Sequence, residues 1–128
     1  MNHVTGIEHL AIFAHDSKEL KDWYIAMFDF TQVYDNGKGT YFLKAQNGMM
    51  IEFLTAEDER SDFNVKTAGI RHVAIGVTMD GFEAVVEKLR AANVEVVTEP
   101  AAGAGYKTFF FRDIAGNICH LIARDVAL

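Results

Sequence analysis

The sequence predicts an α+β fold made of two βαβββ modules within one domain, residues 1–128. The first observation is a repeat: residues 6–12 are GIEHLAI and residues 69–75 are GIRHVAI, which places His9 and His72 63 residues apart. The second observation is that each repeat precedes a helical pattern and then three strand-like runs. Because one βαβββ module buries only one face of its sheet, we expect the two sheets to pair.

An acidic residue marks the start of each predicted helix. Asp16 precedes the first helix and Asp80 precedes the second, and each is followed three residues later by a glutamate. This is the spacing of a capping box, with a carboxylate as the cap. Apolar residues then recur at helical spacing, which predicts one buried face on each helix. They are Leu20, Trp23, Tyr24, Met27 and Phe28 in the first module, and Phe82, Val85, Val86 and Leu89 in the second.

Three strands are predicted after each helix, separated by Asn-Gly and glycine-rich turn signals. Their approximate ranges are 30–35, 40–45 and 49–55 in the first module, and 94–99, 106–112 and 117–123 in the second. The modules therefore span about 1–56 and 67–128. The acidic stretch from Glu57 to Asp62 is predicted to be an exposed connector between them.

Composition and charge exclude several classes of protein. The formal net charge is −6 and there is no basic cluster, which argues against binding to nucleic acid. No apolar run approaches the roughly 20 residues of a membrane-spanning helix. The N-terminus lacks the pattern of a signal peptide, and the one cysteine, Cys119, has no internal disulfide partner. We therefore expect a cytoplasmic protein.

Four polar side chains fall at equivalent places on predicted strand faces. His9 and His72 lie on the first strand of each module, and Glu52 and His120 lie on the last. Because strand side chains alternate between faces, each lies among apolar neighbours. The predicted apolar neighbours of a pocket on these faces are Ala11, Phe13, Met50, Leu54, Ala74, Ile118 and Ile122.

A shared metal ion explains this pattern better than four separate buried polar groups. A single histidine on an apolar strand face is usually a core residue with a hydrogen-bond partner, but four such residues at repeat-related positions point to one site. Imidazole nitrogen and carboxylate oxygen suit Zn, Ni, Fe, Co or Mn. The metal-ligand candidates are His9, Glu52, His72 and His120. A closed, structural Zn site is the alternative use of the same four ligands.

The chain resembles the vicinal oxygen chelate superfamily, which contains glyoxalase I, bleomycin-resistance proteins, methylmalonyl-CoA epimerase and extradiol dioxygenases. Four stretches carry the resemblance: GIEHLAIFAHD, MMIEFL, GIRHVAIGV and RDIAGNICHLI. It implies that the curved mixed sheets of the two modules pair into a cup or open barrel with the helices outside. It also implies that metal ligands come from strands one, four, five and eight, which match the four residues above.

Two departures from the family's pattern bear on the activity. Position 120 is usually glutamate and is His120 here, while Ile114 replaces the usual proline. Glu52 is therefore the one carboxylate of the set and the candidate catalytic base. The stretch FTQVYDNGKG after the first helix has no arginine to hold the carboxylates of glutathione, and Lys38 is its nearest basic residue.

The resemblance and the ligand count together predict a metal-dependent lyase or isomerase of glyoxalase-I-like type that acts on a small molecule with two adjacent oxygens. The alternatives are a metal-free drug-binding protein of bleomycin-resistance type, and a dioxygenase or epimerase on the same scaffold. We expect a homodimer whose modules pair within or between chains. Phe110 and Arg112 of the seventh strand are candidates to join the pocket. Arg112 would lie near its rim, where a surface salt bridge is the favoured alternative to holding an anionic substrate group. His3, His15 and Cys119 are not predicted to take part.

Overall fold

In the computed structural model, residues 3, 5–59 and 68–128 are described, and they divide into two compact units at the boundary between Glu59 and Arg60. Both units have the predicted βαβββ order. The first contains β1 (His9–Ala14), α1 (Ser17–Phe28), β2 (Thr31–Asp35), β3 (Tyr41–Lys44) and β4 (Met50–Thr55). The second contains β5 (Val73–Gly76), α2 (Phe82–Ala91), β6 (Glu95–Gly103), β7 (Tyr106–Arg112) and β8 (Ile118–Arg124).

The two sheets have the same topology. Their strand orders are β1-β4-β3-β2 and β5-β8-β7-β6, and in each the first and last strands of the unit pair in parallel. The other neighbours pair antiparallel, so both sheets are mixed. The prediction of an α+β fold with two mixed sheets and one helix in each module is confirmed.

One face of each sheet carries the core of its unit. In the first unit, Tyr24 of α1 packs against Phe53 of β4, with ring centroids 5.1 Å apart, and both side chains are fully buried. In the second unit the fully buried residues include Leu89 of α2, Phe109 and Phe111 of β7 and Leu121 of β8. The helical spacing predicted from the sequence therefore identifies the buried helix faces correctly.

The two helices begin differently, which corrects one prediction. Asp16 caps α1, since its carboxylate accepts a 2.8 Å hydrogen bond from the backbone N–H of Glu19. The cap of α2 is Gly81 rather than the predicted Asp80, and it makes no side-chain capping bond. The N–H of Gly81 donates instead to the hydroxyl of Thr78, so a short turn delays the helix by one residue.

Two strand boundaries also differ from the prediction. β5 begins at Val73, so His72 lies immediately before the strand rather than within it. β6 continues to Gly103 instead of ending at residue 99, because it pairs with β7 across two register shifts that take up the extra residues around Pro100.

The described part of the predicted connector is exposed. Glu57, Asp58 and Glu59 are exposed, as predicted, while residues 60–62 of the predicted connector lie outside the described residues. Within the described ranges, neither helix has the length and apolar character needed to cross a bilayer.

A buried carboxylate fixes the turn that leads into β8. Asp113 accepts 2.9 Å hydrogen bonds from the backbone N–H groups of Ala115 and Asn117, and a 3.0 Å bond from the side-chain amide of Asn117. Gly116 has φ +90°, a left-handed conformation that glycine adopts without strain. The residues of the RDIAGN motif thus set where β8 starts and which face His120 takes.

Candidate functional site

The first unit brings His9 and Glu52 together. Glu52 is paired in register with Ala11 of β1, and His9 lies two residues earlier on the same face of that strand. The Nε2 atom of His9 is 3.6 Å from a carboxylate oxygen of Glu52. Both side chains are partly exposed, at 35% and 21%. An imidazole nitrogen and a carboxylate oxygen are therefore available on one face of this unit.

A second carboxylate holds the other nitrogen of His9. The carboxylate of Glu8 is 2.9 Å from Nδ1 of His9. A carboxylate at this distance favours the tautomer in which Nδ1 carries the proton and donates it. In that tautomer Nε2 carries the lone pair and is available to a metal ion, which is the arrangement that metal-binding histidines usually have.

The second unit brings His72 and His120 together at equivalent positions. His120 is paired in register with Ala74 of β5, just as Glu52 is paired with Ala11. The two imidazole rings have centroids 5.2 Å apart and are nearly perpendicular, at 85°. The second unit therefore offers a pair of imidazoles where the first offers an imidazole and a carboxylate.

An aromatic ring supports each pair. Phe42 lies opposite Glu52 in the register of β3 and β4, and its ring meets the edge of His9 at 5.2 Å. Phe110 lies opposite His120 in the register of β7 and β8 and stacks on it, at 4.0 Å and 9°. Phe110 also meets His72 in an edge contact at 5.6 Å. Each aromatic ring thus restricts the rotation of the side chains beside it.

Among the described residues of the second unit, two imidazole nitrogens have no hydrogen-bond partner. They are Nδ1 of His72 and Nε2 of His120, and both atoms are buried. Buried polar atoms are nearly always satisfied, so two unsatisfied nitrogens on neighbouring rings need an explanation such as a bound ion. Burial lowers the pKa of His120 to about 4, and burial followed by the charge of Arg71 lowers the pKa of His72. Both imidazoles are therefore neutral at pH 7, the form that binds a metal.

The surrounding charges of the two pairs are opposite in sign. Glu8 lies against His9, whereas the corresponding position before His72 is Arg71. The guanidinium carbon of Arg71 is 5.2 Å from the centre of the Phe110 ring. Burial and the neighbouring His72 are the main causes that lower the pKa of His120, and the charges of Arg124 and Arg71 lower it further.

Each unit contributes two ligand atoms of the kind that a divalent transition metal prefers. Among residues 3, 5–59 and 68–128, no group of three or more His, Cys, Asp or Glu side chains forms a complete metal site. The four metal-ligand candidates predicted from the sequence therefore form two pairs in the structure, His9 with Glu52 and His72 with His120. The unsatisfied nitrogens and the donor types of both pairs fit a metal ion.

Comparison with known proteins decides the family. The family model of the glyoxalase/bleomycin resistance protein/dioxygenase superfamily matches residues 8–111, which include both histidines of the repeat, Glu52 and both supporting rings. The chain belongs to this superfamily. The resemblance seen in its sequence motifs is therefore confirmed. A search of curated protein sequences gave no significant match.

Solved structures of the superfamily share the fold at low sequence identity. A glyoxalase/dioxygenase from Nostoc punctiforme is 15% identical, with a TM-score of 0.83 over 95% of this chain and 92% of that one. The fosfomycin resistance protein FosX from Listeria monocytogenes is 17% identical, with a TM-score of 0.78 over 98% and 94%. A variant of that FosX, 14% identical with a TM-score of 0.74 over 98% and 93%, was solved with Mn(II) and 1S,2S-dihydroxypropylphosphonic acid.

The predicted pocket neighbours differ in exposure. In the superfamily fold of this chain, Phe13 is 65% exposed, whereas Ile118 is buried at 4%. Arg112, a predicted rim residue, donates to the carbonyl of Gly116 at 2.9 Å and lies 3.6 Å from the carboxylate of Glu95. These contacts give Arg112 a structural role in the turn before β8.

The residues that were not predicted to take part have other contacts or a different exposure. His15 is exposed, and its Nε2 is 2.8 Å from the carboxylate of Glu59. Cys119 is buried and makes no disulfide, as predicted for a small core residue. His3 is exposed.

Sequence reasoning missed Phe42, Glu8 and the contact of Arg71 with Phe110. A signal for Phe42 was present, since Phe42 and Phe110 are separated by the same 68 residues as Glu52 and His120. Glu8 and Arg71 occupy matching places in GIEHLAI and GIRHVAI, but strand alternation alone places them on the face opposite the histidines. Both lie just before a strand, where that alternation need not hold.

Proposed function

We propose that this protein is a metal-dependent lyase or isomerase of glyoxalase-I-like type. In this proposal one divalent metal, chosen among Zn, Ni, Fe, Co and Mn, is bound by His9, Glu52, His72 and His120. The observation that carries the proposal is the pair of buried, unsatisfied nitrogens on His72 and His120, at positions equivalent in register to the His9–Glu52 pair. Three nitrogens and one oxygen form a donor set suited to these metals rather than to Mg or Ca.

The proposed substrate is a small molecule with two adjacent oxygens. When bound, the metal would supply Lewis acidity and stabilise negative charge on a substrate oxygen. Glu52 is the carboxylate of the set and takes a proton from the substrate carbon beside that oxygen. Returning the same proton to the adjacent carbon completes an isomerisation without any other reactant.

The second unit supports this chemistry by binding rather than by proton transfer. Burial favours the neutral form of His72 and His120, so neither imidazole has to lose a proton before binding a metal at pH 7. Stacking on Phe110 keeps the His120 ring in one orientation. The presence of Mn(II) in a FosX variant of the same fold supports including Mn in the metals tested.

The alternatives differ in what they require of the four residues. A metal-free drug-binding protein needs none of them as ligands. An extradiol-type dioxygenase typically uses two histidines and one carboxylate on iron, which leaves room for substrate and O₂. A fourth protein ligand obstructs O₂ binding, so the four-residue set favours proton transfer.

Metal content tests the proposal directly. The full chain is dialysed extensively and its metals are measured by elemental mass spectrometry, with His120→Ala and His9→Ala as test variants. His15→Ala is the matched control, because it removes an exposed, carboxylate-paired imidazole outside the two pairs. We expect close to one metal per wild-type chain, retention in the control and loss in both test variants.

The outcomes separate the functions. Turnover of the hemithioacetal of a 2-oxoaldehyde by the metal-loaded protein supports the glyoxalase-type reaction. Cleavage of a catechol with iron bound supports a dioxygenase instead. If no metal is retained and none rebinds, the four-residue site is wrong and the metal-free binding protein becomes the leading function.

We further propose a cytoplasmic homodimer, with each site completed either within one chain or between two. Mixing two inactive variants distinguishes these arrangements: one lacks His9 and Glu52, the other lacks His72 and His120. If modules pair between chains, mixed dimers contain one intact site and metal binding returns. If modules pair within a chain, each variant keeps one defective half and mixing restores nothing.

A further inference from the structure

We propose that Arg71 is the binding residue for an oxyanion group on the ligand of the His72–His120 face, so that the substrate carries a carboxylate or phosphonate substituent. The assignment of this anion to a substrate rests on the proposed function. The anion site itself rests on the second unit alone and can be tested without metal.

The position of Arg71 is defined by the Phe110 ring. Its guanidinium carbon is 5.2 Å from the ring centre, within the range of a cation–π contact. The same ring stacks on His120 at 4.0 Å and meets the edge of His72 at 5.6 Å. Arg71 therefore shares an aromatic neighbour with both imidazoles, and an anion bound by Arg71 lies beside them.

A second arginine, Arg90 of α2, shows what a structural arginine looks like in this fold. Arg90 lies over Phe109 at 5.5 Å, and Phe109 points to the opposite, buried face of β7. The guanidinium of Arg90 is ion-paired with the carboxylate of Glu99. Arg71 makes the same kind of ring contact, but within residues 5–59 and 68–128 no carboxylate forms an ion pair with it.

The free donors of Arg71 suit an oxyanion. A guanidinium that contacts an aromatic ring still presents N–H groups along its edge, in a planar fork that matches the oxygens of a carboxylate or phosphonate. Lysine has no equivalent fork, because its ammonium group is a point charge. The contact with Phe110 also reduces the freedom that Arg71 would lose on binding.

The local charge favours an anion although the protein as a whole is acidic, with a net charge of −6. Arg71 occupies the position that Glu8 has in the first unit. Arg124 lies on the same strand face as His120, four residues later, and its charge also reaches that imidazole. The first unit thus places a carboxylate beside its histidine, whereas the second places cations there.

Titration of the metal-free full chain with oxyanions tests the proposal. Methylphosphonate and acetate are added at constant ionic strength with chloride as the balancing anion, and NMR shifts of the His72, His120 and Arg71 side chains are followed. The variants are Arg71→Met, which removes the donors, and Arg71→Lys, which keeps the charge. Arg90→Met is the matched control, since it removes the other arginine that lies over a phenylalanine of β7.

We expect saturable shifts in the wild type and in Arg90→Met. Arg71→Met weakens binding at least about tenfold, the usual loss for a charge-assisted hydrogen-bonded pair, and Arg71→Lys gives an intermediate loss. The probe that binds more tightly, methylphosphonate or acetate, identifies the anionic group. Unchanged binding in Arg71→Met would assign the anion to the histidines or Arg124 and overturn the proposal.

Failure of this inference is distinguishable from failure of the proposed function. If neither probe binds saturably but one metal per chain is retained, Arg71 is not an anion site and the metal-dependent function stands. If a probe binds through Arg71 but no metal is ever retained, the anion site stands and the ligand is bound without metal chemistry.

Discussion

The two units of this protein have the same strand order, the same register around the site and an aromatic ring in the same place, yet the chemistry of their site faces differs. The first unit holds an imidazole against two carboxylates, Glu8 and Glu52. The second holds two imidazoles, each with one buried and unsatisfied nitrogen, and has cations nearby. A repeated scaffold thus fixes the positions of four side chains, while their residue types differ. In the proposed function, the first half moves the proton and the second half binds the metal.

The largest expected effect on turnover comes from Glu52→Gln in β4, compared with His120→Gln at the equivalent position of β8. Glu52→Gln removes the proposed base while keeping an oxygen atom in place, so we expect kcat for a hemithioacetal substrate to fall about 10²–10⁴-fold at saturating metal. His120→Gln removes a ligand but no base. We expect it to weaken metal binding, with activity largely recovered when metal is added in excess.

Turnover and metal content measured side by side check this difference. If Glu52→Gln keeps full turnover, Glu52 is not the base, and proton transfer is not the role of the first unit. If His120→Gln loses turnover at every metal concentration, His120 does more than bind.

The second prediction concerns the acid sensitivity of the second unit in the metal-free protein. Burial is the first cause that lowers the pKa of His120 to about 4, whereas an unfolded histidine titrates near 6.5. The unfolded chain therefore binds more protons between these pH values, and stability falls as the pH drops through this window. The contribution is on the order of 1–2 kcal/mol between pH 7 and pH 5.

Urea unfolding of metal-free wild type and His120→Phe at both pH values measures this contribution. The variant should lose less of its unfolding free energy on acidification, because it has no imidazole at position 120 to protonate. His15→Phe, which removes an exposed imidazole paired with Glu59, is the control: it measures how far deleting a histidine elsewhere changes the loss of unfolding free energy on acidification. Equal acid losses in wild type and His120→Phe would contradict the prediction.

The extent to which the sequence predicts this site follows from the periodicity of strands. Alternation by two residues places His9 with Ala11 and Glu52 with Met50, and the repeat then implies the same arrangement in the second half. The rings of Phe42 and Phe110 depend on the antiparallel register of the third strand of each unit with the last. That register is set by turn geometry and packing, which the hydrophobic pattern alone does not fix.

The positions of the element ends explain the other differences from the sequence-based prediction. Asp80 has the correct spacing to a following glutamate, yet the hydroxyl of Thr78 captures the N–H of Gly81 and moves the helix start. Glu8 and Arg71 lie outside regular strand, where side-chain direction no longer follows alternation. Both kinds of difference arise at the ends of elements, where single contacts outweigh periodic patterns.

The third prediction concerns the carboxylate that only the first unit places beside its histidine. Glu8→Gln weakens the hydrogen bond to Nδ1 of His9. Mutation of a carboxylate that supports a metal-binding histidine typically lowers the metal affinity by about 10–100-fold. Because Glu8 is 74% exposed, we expect the lower end, about tenfold, with turnover at saturating metal retained. Competition with a metal-binding dye measures the affinity.

Glu59→Gln is the matched control, because Glu59 makes a similar carboxylate–imidazole contact with His15 outside the site. Its metal affinity should equal that of the wild type. A similar loss in both variants would indicate that the effect comes from the net charge of the protein, and Glu8 would then have no positioning role.

The smallest expected effect compares the two helix starts. Asp16→Ala removes the hydrogen bond to the N–H of Glu19 and should lower the free energy of unfolding by about 1 kcal/mol, the usual cost of losing a capping side chain. Asp80→Ala should change it by less than about 0.5 kcal/mol, because Asp80 makes no capping bond and Gly81 begins α2. Urea unfolding at pH 7 measures both, with Thr78→Ala as the third variant. Because the Thr78 hydroxyl accepts the N–H of Gly81, Thr78→Ala should lower the free energy of unfolding more than Asp80→Ala does. Equal losses in Asp16→Ala and Asp80→Ala would show that both helices are capped alike.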